Sequence, residues 1–361
     1  MLTSVLPRIV SNSAPRSRIL NWLLIAIFLG LLTTPFITSG ARPLNTAATI
    51  CVYIVLVASY DLLLGYTGIV SFAHTMFFGI GAYGVALGLQ GETPSWTGLA
   101  LGLISAVLLS LTLAFIIGLF ALRVRAIFYS MITLAVASSF AVLASQLSDI
   151  TGGEDGKTFS TPDLLASSFT LFDQPMMGRY IDGKVICYYL VFAAALFLFL
   201  FMLRVVNSPF GRVLQAIREN DFRAEAIGYK TVHYRIAANC IAAALACLAG
   251  AMMALWLKYV GPKTMLSFEV MTDILLIVVI GGMGSLYGAV IGATLFLILQ
   301  NYLKSLMAQA NESLLDVPLL AQILHPDRWL FWLGILFVLS VYFFPSGIVG
   351  KLNRTRPRIE A

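Results

Sequence analysis

Runs of roughly twenty apolar residues recur along the whole chain, separated by short polar connections, and they leave little choice of architecture. At 1.5 Å of rise per residue, about 20 apolar residues in a helix cross the hydrocarbon of a bilayer. Stretches of that order occupy 19–38, 44–64, 69–89, 97–120, 126–147, 184–205, 234–256, 270–283, 285–303 and 328–345. The expected fold is an all-α polytopic membrane protein with about ten transmembrane helices. Composition agrees, since 59% of the 361 residues are hydrophobic and only 11% are charged, far from the balance of water-soluble domains. The net charge of +6 reads as the positive-inside bias of a membrane protein; it does not point to nucleic acid.

The charges also give an orientation. Arg123 and Arg125 form one basic loop, the segment 204–235 is basic, and both termini are too, through Arg8, Arg16 and Arg18 and through Lys351, Arg354, Arg356 and Arg358. The segment 148–183 instead carries Asp149, Glu154, Asp155, Asp163, Asp173 and Asp182 against Lys157 and Arg179. With that segment outside, ten crossings put every basic segment and both termini in the cytoplasm. The first run is too long for the apolar region of a signal peptide, so an uncleaved first span is expected despite the cleavage-like trio Ser39-Gly40-Ala41. The domain plan is therefore a cytoplasmic segment 1–18, one membrane domain 19–345 with an external loop at 148–183 and a cytoplasmic segment at 206–233, and a basic cytoplasmic tail 346–361.

The longest charged run, Asn207 to Gly228, has the makings of a helix. Ser208 suits an N-cap and Pro209 the first helical position, where no donor is missed. Phe210, Val213, Leu214 and Ile217 then recur on one face, with Arg212, Gln215, Glu219 and Arg223 toward the other. Glu219 and Arg223 are expected to pair at i, i+4. Such a helix is too polar to cross a bilayer. It has to lie at the membrane surface.

Two spans are irregular. The third opens GYTGIVSFAHTMFFGIGAYG, with Gly65, Gly68, Gly79, Gly81 and Gly84, and the eighth breaks at Gly281-Gly282 before Met283-Gly284-Ser285 starts the ninth. Glycine clusters mark either close helix contact or an unwound segment beside a cavity, and broken spans in both halves of a chain point to a translocation pathway. The expectation is two pseudo-symmetric halves, with Gly68, Ser71, His74, Phe77, Gly281, Gly282, Gly284 and Ser285 along the pathway.

Other signals lead nowhere. Gly79-Ile80-Gly81-Ala82-Tyr83-Gly84 fits the dinucleotide pattern but lies inside an apolar span with no strand before it. Thr151 to Thr158 ends like a phosphate loop, yet has threonine where its first glycine belongs and two carboxylates where phosphate would sit. His74, His233 and His325 fall at different depths, so no metal set forms. Asp61 and Asp273 lie near span ends, within reach of water or headgroups. Cys51, Cys187, Cys240 and Cys247 behave as small apolar residues. No catalytic group and no cofactor is expected.

Four segments, in order, resemble the membrane-spanning permeases of ABC importers for branched-chain amino acids, the M-type of the Liv system. They are GYTGIVSFAHTMFFGIGAYG at 65–84, TGGEDG at 151–156, SPFGRVLQAIREN at 208–220 with its continuation to Gly228, and the pair IGGMGSLYGAVIGA (280–293) and FFPSGIVG (343–350). The resemblance runs from about residue 60 to 350. It implies that the cytoplasmic segment docks on an ATPase, with Gly211, Arg212, Arg218, Glu219, Glu225 and Gly228 as docking residues. Glu225-Ala226-Ile227-Gly228 departs from the wider importer pattern of Glu-Ala-Ala, three residues and Gly, and resembles the Liv branch. The implied partners are an H-type permease, two cytoplasmic ABC ATPases that use the ATP, an external substrate-binding protein and the lipid of the bacterial inner membrane. Urea or short amides are the alternative cargo of the same kind of machine, and an ion-coupled carrier working alone is the alternative mechanism.

Overall fold

The computed structural model describes residues 17–37, 40–91, 94–121, 126–166, 169–170, 182–313 and 325–354. Arg8, Arg16, Arg123, Arg125, Asp173, Arg179, Arg356 and Arg358 lie outside them. The long helices are α1 (Arg18–Ile37), α2 (Ala41–Thr67), α3 (His74–Gly88), α4 (Trp96–Ala121), α5 (Ala126–Gln146) and α6 (Gly183–Val206). Two short helices follow, α7 (Pro209–Glu219) and α8 (Asp221–Ala226), then α9 (Thr231–Leu257), α10 (Phe268–Gly281), α11 (Leu286–Ser313), α12 (Trp329–Phe343) and α13 (Gly347–Arg354). Among the described residues, nine helical segments are long and apolar enough to cross a membrane.

The remaining expected span, 69–89, is only partly helical: residues 68–73 are unwound and α3 starts at His74. The local cause is legible. Gly68 ends α2 with φ 73°, and the N–H groups of Gly68 and Ile69 both turn back to the Leu63 carbonyl. Backbone unwound at membrane depth must find partners within the protein, and α5 supplies them. The Phe72 N–H donates to Thr133 Oγ1 at 3.1 Å and Ser130 Oγ donates to the Val70 carbonyl at 2.9 Å.

Helix α2 is the axis of the bundle, with almost every residue from Ala47 to Leu63 buried, and α9 is the second central helix. Lipid gives no hydrophobic drive between helices, so close packing and hydrogen bonds hold them. Gly81 of α3 backs onto the Cys247 carbonyl and Gly250 of α9 onto the Phe78 carbonyl, while Gly84 and Gly88 meet Gly102 and Gly98 of α4. Asn239 ties three helices: its Nδ2 donates to the Ala114 carbonyl at 2.8 Å and its Oδ1 accepts from Tyr129 OH at 3.3 Å. Tyr188 OH and Tyr189 OH donate to the Leu31 and Leu32 carbonyls at 2.5 and 2.9 Å, fixing α6 to α1.

The two ends of the bundle differ. At one end Leu20 of α1 packs with Ile291 of α11 and Val349 of α13, and the C-terminal ends of α2 and α10 and the helix α7 lie at the same end. At the other, Lys157–Thr158 (β1) pairs antiparallel with Tyr259–Val260 (β2), and Tyr259 OH donates to the Asp155 carbonyl at 2.9 Å. The phosphate-loop look-alike is thus a glycine turn leading into a two-residue strand.

Candidate functional site

The polar segment folds much as its sequence dictates. Ser208 caps α7, its hydroxyl accepting from the Gly211 N–H at 3.4 Å with Pro209 in the first turn. Leu214 and Ile217 are buried and Phe210 and Val213 half-buried, whereas Arg212, Gln215 and Glu219 face outward. The helix is fastened on both sides. A side chain at Gly211 would collide with the Val206 backbone at the end of α6, and the Phe210 ring stacks on Tyr234 of α9 at 5.8 Å.

One expected contact is replaced. Asn220 leaves the helical conformation at φ −159° and ψ 101°, and its side chain caps α8 by accepting from the Arg223 N–H at 2.9 Å. That break takes Glu219 and Arg223 off a common helix. The ion pair here is instead Asp221 with Arg235 at 2.9 Å, and Glu225 accepts from Thr231 Oγ1 at 2.7 Å. Both bonds clamp α8 to the first turns of α9. Two consequences were invisible in the sequence: Phe222 is 81% exposed and Ile227 is 78% exposed at the tip of the segment.

Gly228 has a structural duty. With φ 102° it stops α8 in a Schellman motif, the Gly228 N–H bonding the Glu225 carbonyl at 2.9 Å and the Tyr229 N–H the Ala224 carbonyl at 3.1 Å. Gly228→Ala is expected to weaken that stop by about 1 kcal/mol, read as roughly fivefold faster amide exchange at Tyr229. Unchanged exchange would mean that other contacts hold the turn.

Arg218 behaves differently from its neighbours. Its aliphatic stem crosses Gly68, with Cγ lying 3.3 Å from where a glycine-68 Cβ would be, and Nη1 donates to the Gly65 carbonyl. Gly65 in turn touches the Gly284 backbone, and Asp61 Oδ1 accepts from the Gly284 N–H at 2.9 Å. Asp61, expected within reach of water, is 2% exposed. It is two turns inside α2 and roofed by the Gly281–Ser285 break, which sequence spacing could not disclose. Gly282 lies back to back with Gly347 of the PSG turn. The Gly-rich stretches of the two halves therefore meet each other and the polar segment at one junction. Three of the sequence motifs converge there, and TGGEDG sits at the opposite end.

The other pathway candidates are enclosed. Ser71, His74 and Phe77 are buried in the core. Ser59 Oγ gives its proton to the Leu56 carbonyl at 2.7 Å, so the 2.8 Å contact with His74 is donated by His74 Nε2–H. His74 is thus a packed, hydrogen-bonded imidazole in this conformation. Among the described residues no cluster of metal-binding side chains forms.

Residues 42–341 match the family described as branched-chain amino acid transport system / permease component. The chain belongs to this family. The high-affinity branched-chain amino acid transport system permease protein LivM of Salmonella typhimurium is 28% identical over 355 residues, which cover 93% of this chain and 76% of that protein. A probable branched-chain amino acid transport permease protein LivM of Methanocaldococcus jannaschii is 28% identical over 253 residues, 68% of each chain. The LivH permease of Salmonella typhimurium is 22% identical over 314 residues, 85% of this chain and 92% of that one. No solved structure gives a significant match.

Proposed function

We propose that this chain is one permease of a pair in an ATP-driven importer of branched-chain amino acids, and that α7 and α8 form the cytoplasmic segment gripped by a separate ATPase. The observation that carries the reading is the attachment of α7: one face is buried on α6 and α9, Arg218 reaches into the junction of the broken helices, and the opposite face is free. A rigid-body push on that free face is delivered to the glycine breaks, which alternating access requires. The basic residues of the segment and of both termini favour a cytoplasmic position for this end. Two ATPases inside, an H-type permease alongside and a soluble binding protein outside complete the machine, and cargo passes the enclosed Ser71–Phe77 region only in another conformation.

The test is reconstitution in liposomes. With an H-type permease, an ATPase pair and a binding protein, leucine, isoleucine or valine uptake is expected only when ATP is supplied on the ATPase side, and the isolated chain is expected to transport nothing. Uptake by the chain alone, driven by an ion gradient, would replace this reading with the ion-coupled carrier; ATP-driven uptake of urea or short amides in place of the amino acids would change the cargo.

A further inference from the structure

Asp61 is a carboxyl group buried against the backbone of Gly284 and Ser285. Oδ1 holds the Gly284 N–H, but Oδ2 makes no hydrogen bond among the described residues. An uncompensated buried carboxylate is costly, and a charge of opposite sign lies close by. Arg218 Nη1 is 2.8 Å from where a Gly284 Cβ would stand, and Gly284 is the residue whose N–H Asp61 holds. Yet Arg218 and Asp61 do not form a salt bridge here, whereas Asp221 and Arg235 do. The guanidinium is spent on the Gly65 carbonyl instead. Asp61 and Gly65 are one helical turn apart on α2, and the Asp61 carboxyl group fills the space that a side chain at position 65 would take.

We propose that Asp61 is a second seat for the Arg218 guanidinium, so that α7 has two positions along the end of α2 and Arg218 passes from the Gly65 carbonyl to the Asp61 carboxylate when α7 is moved. The idea rests on the functional reading above and adds to it a named pair that defines the two states. In one state the carboxylate holds only the Gly284 break. In the other it holds the break and α7 together, so motion of the polar segment is passed to the glycine junction. Asp61 is a positioning residue in this scheme and touches no cargo. Arg218, expected from resemblance to be a docking residue, is exposed over much of its surface and reaches the Gly65 carbonyl with its guanidinium.

A double-mutant cycle in the reconstituted importer tests it, scored as amino acid taken up per ATP hydrolysed. Asp61→Asn keeps an oxygen for the Gly284 N–H and removes the charge, so folding is preserved. Arg218→Gln keeps a donor for the Gly65 carbonyl. Each single variant is expected to lower the uptake-to-hydrolysis ratio by about tenfold, within the usual range of coupling energies, with the yield of folded protein unchanged. The double variant is expected to be no worse than either single one. Multiplying losses, or unaltered ratios in the single variants, would overturn the pair. A simultaneous fall in folded yield in Asp61→Asn would do so too, by making the carboxylate a structural requirement. Absence of ATP-dependent uptake by the unmodified importer would instead count against the functional reading itself.

Discussion

Gly250→Leu is expected to abolish the folded protein, and Gly81→Leu to do nearly the same. The two positions form a reciprocal contact between α3 and α9. A Cβ on Gly250 would sit on the Phe78 carbonyl and one on Gly81 would sit on the Cys247 carbonyl, with each glycine three residues from the carbonyl its own helix presents. Backbone meets backbone on both sides, so no side chain can rotate away to make room. Overpacking an ordinary core site costs about 1–3 kcal/mol. Here two helices must separate, and α9 also carries Asn239 with its bonds to the Ala114 carbonyl and Tyr129. The loss should exceed that range and leave little monodisperse protein after detergent extraction. Gly30→Leu is the control, since a Cβ there meets nothing within 4 Å and its helix α1 lies at the periphery. Equal yields from Gly250→Leu and Gly30→Leu would mean that the α3–α9 contact is looser than its geometry implies.

Hydropathy located a helix for every expected span because the bilayer imposes one length on each of them. It erred only where the rule changes. Residues 68–73 are as apolar as a helix interior, but Gly68 and the hydroxyls of Ser130 and Thr133, about sixty residues away, let the chain unwind. No local pattern announces partners that distant. The capping of α7 was legible since Ser208, Pro209 and the apolar spacing all agree within one turn. The break at Asn220 was not, because Asn inside a run of helix formers reads as tolerable until its side chain is seen to cap the next helix. Asp61 was misplaced for a related reason. Its surroundings are supplied by Gly284 and Arg218, far along the chain, and no local pattern around residue 61 discloses them. The glycine motifs were recognised as a set, but their convergence on one junction, with TGGEDG left at the other end, belongs to the tertiary structure.

Phe222→Glu and Ile227→Glu, made together, are expected to weaken binding of the ATPase proposed to grip this segment by about thirtyfold or more, a loss of about 2 kcal/mol typical of an interface anchor. Helix α8 is fixed in its orientation. Asp221 is held by Arg235, Glu225 by Thr231, and Ala224 is buried against the bundle, so the helix has no freedom to fold its other face inward. Phe222 and Ile227 are left pointing away from the protein on a segment that is otherwise charged. Large apolar side chains exposed together on a rigid polar element mark an interaction surface more often than an accident, and a pre-ordered element loses little entropy on binding. Arg212→Glu on the exposed face of α7 should have a smaller effect, as a rim charge would. All three positions are outside the packed core, so the yield and thermal stability of the permease should stay close to those of the unmodified chain. Affinity for the purified ATPase, measured on the permease in nanodiscs, separates the cases. If the double variant binds as tightly as the unmodified chain, the grip lies on the charged face of α7, and Arg212→Glu then becomes the larger of the two effects.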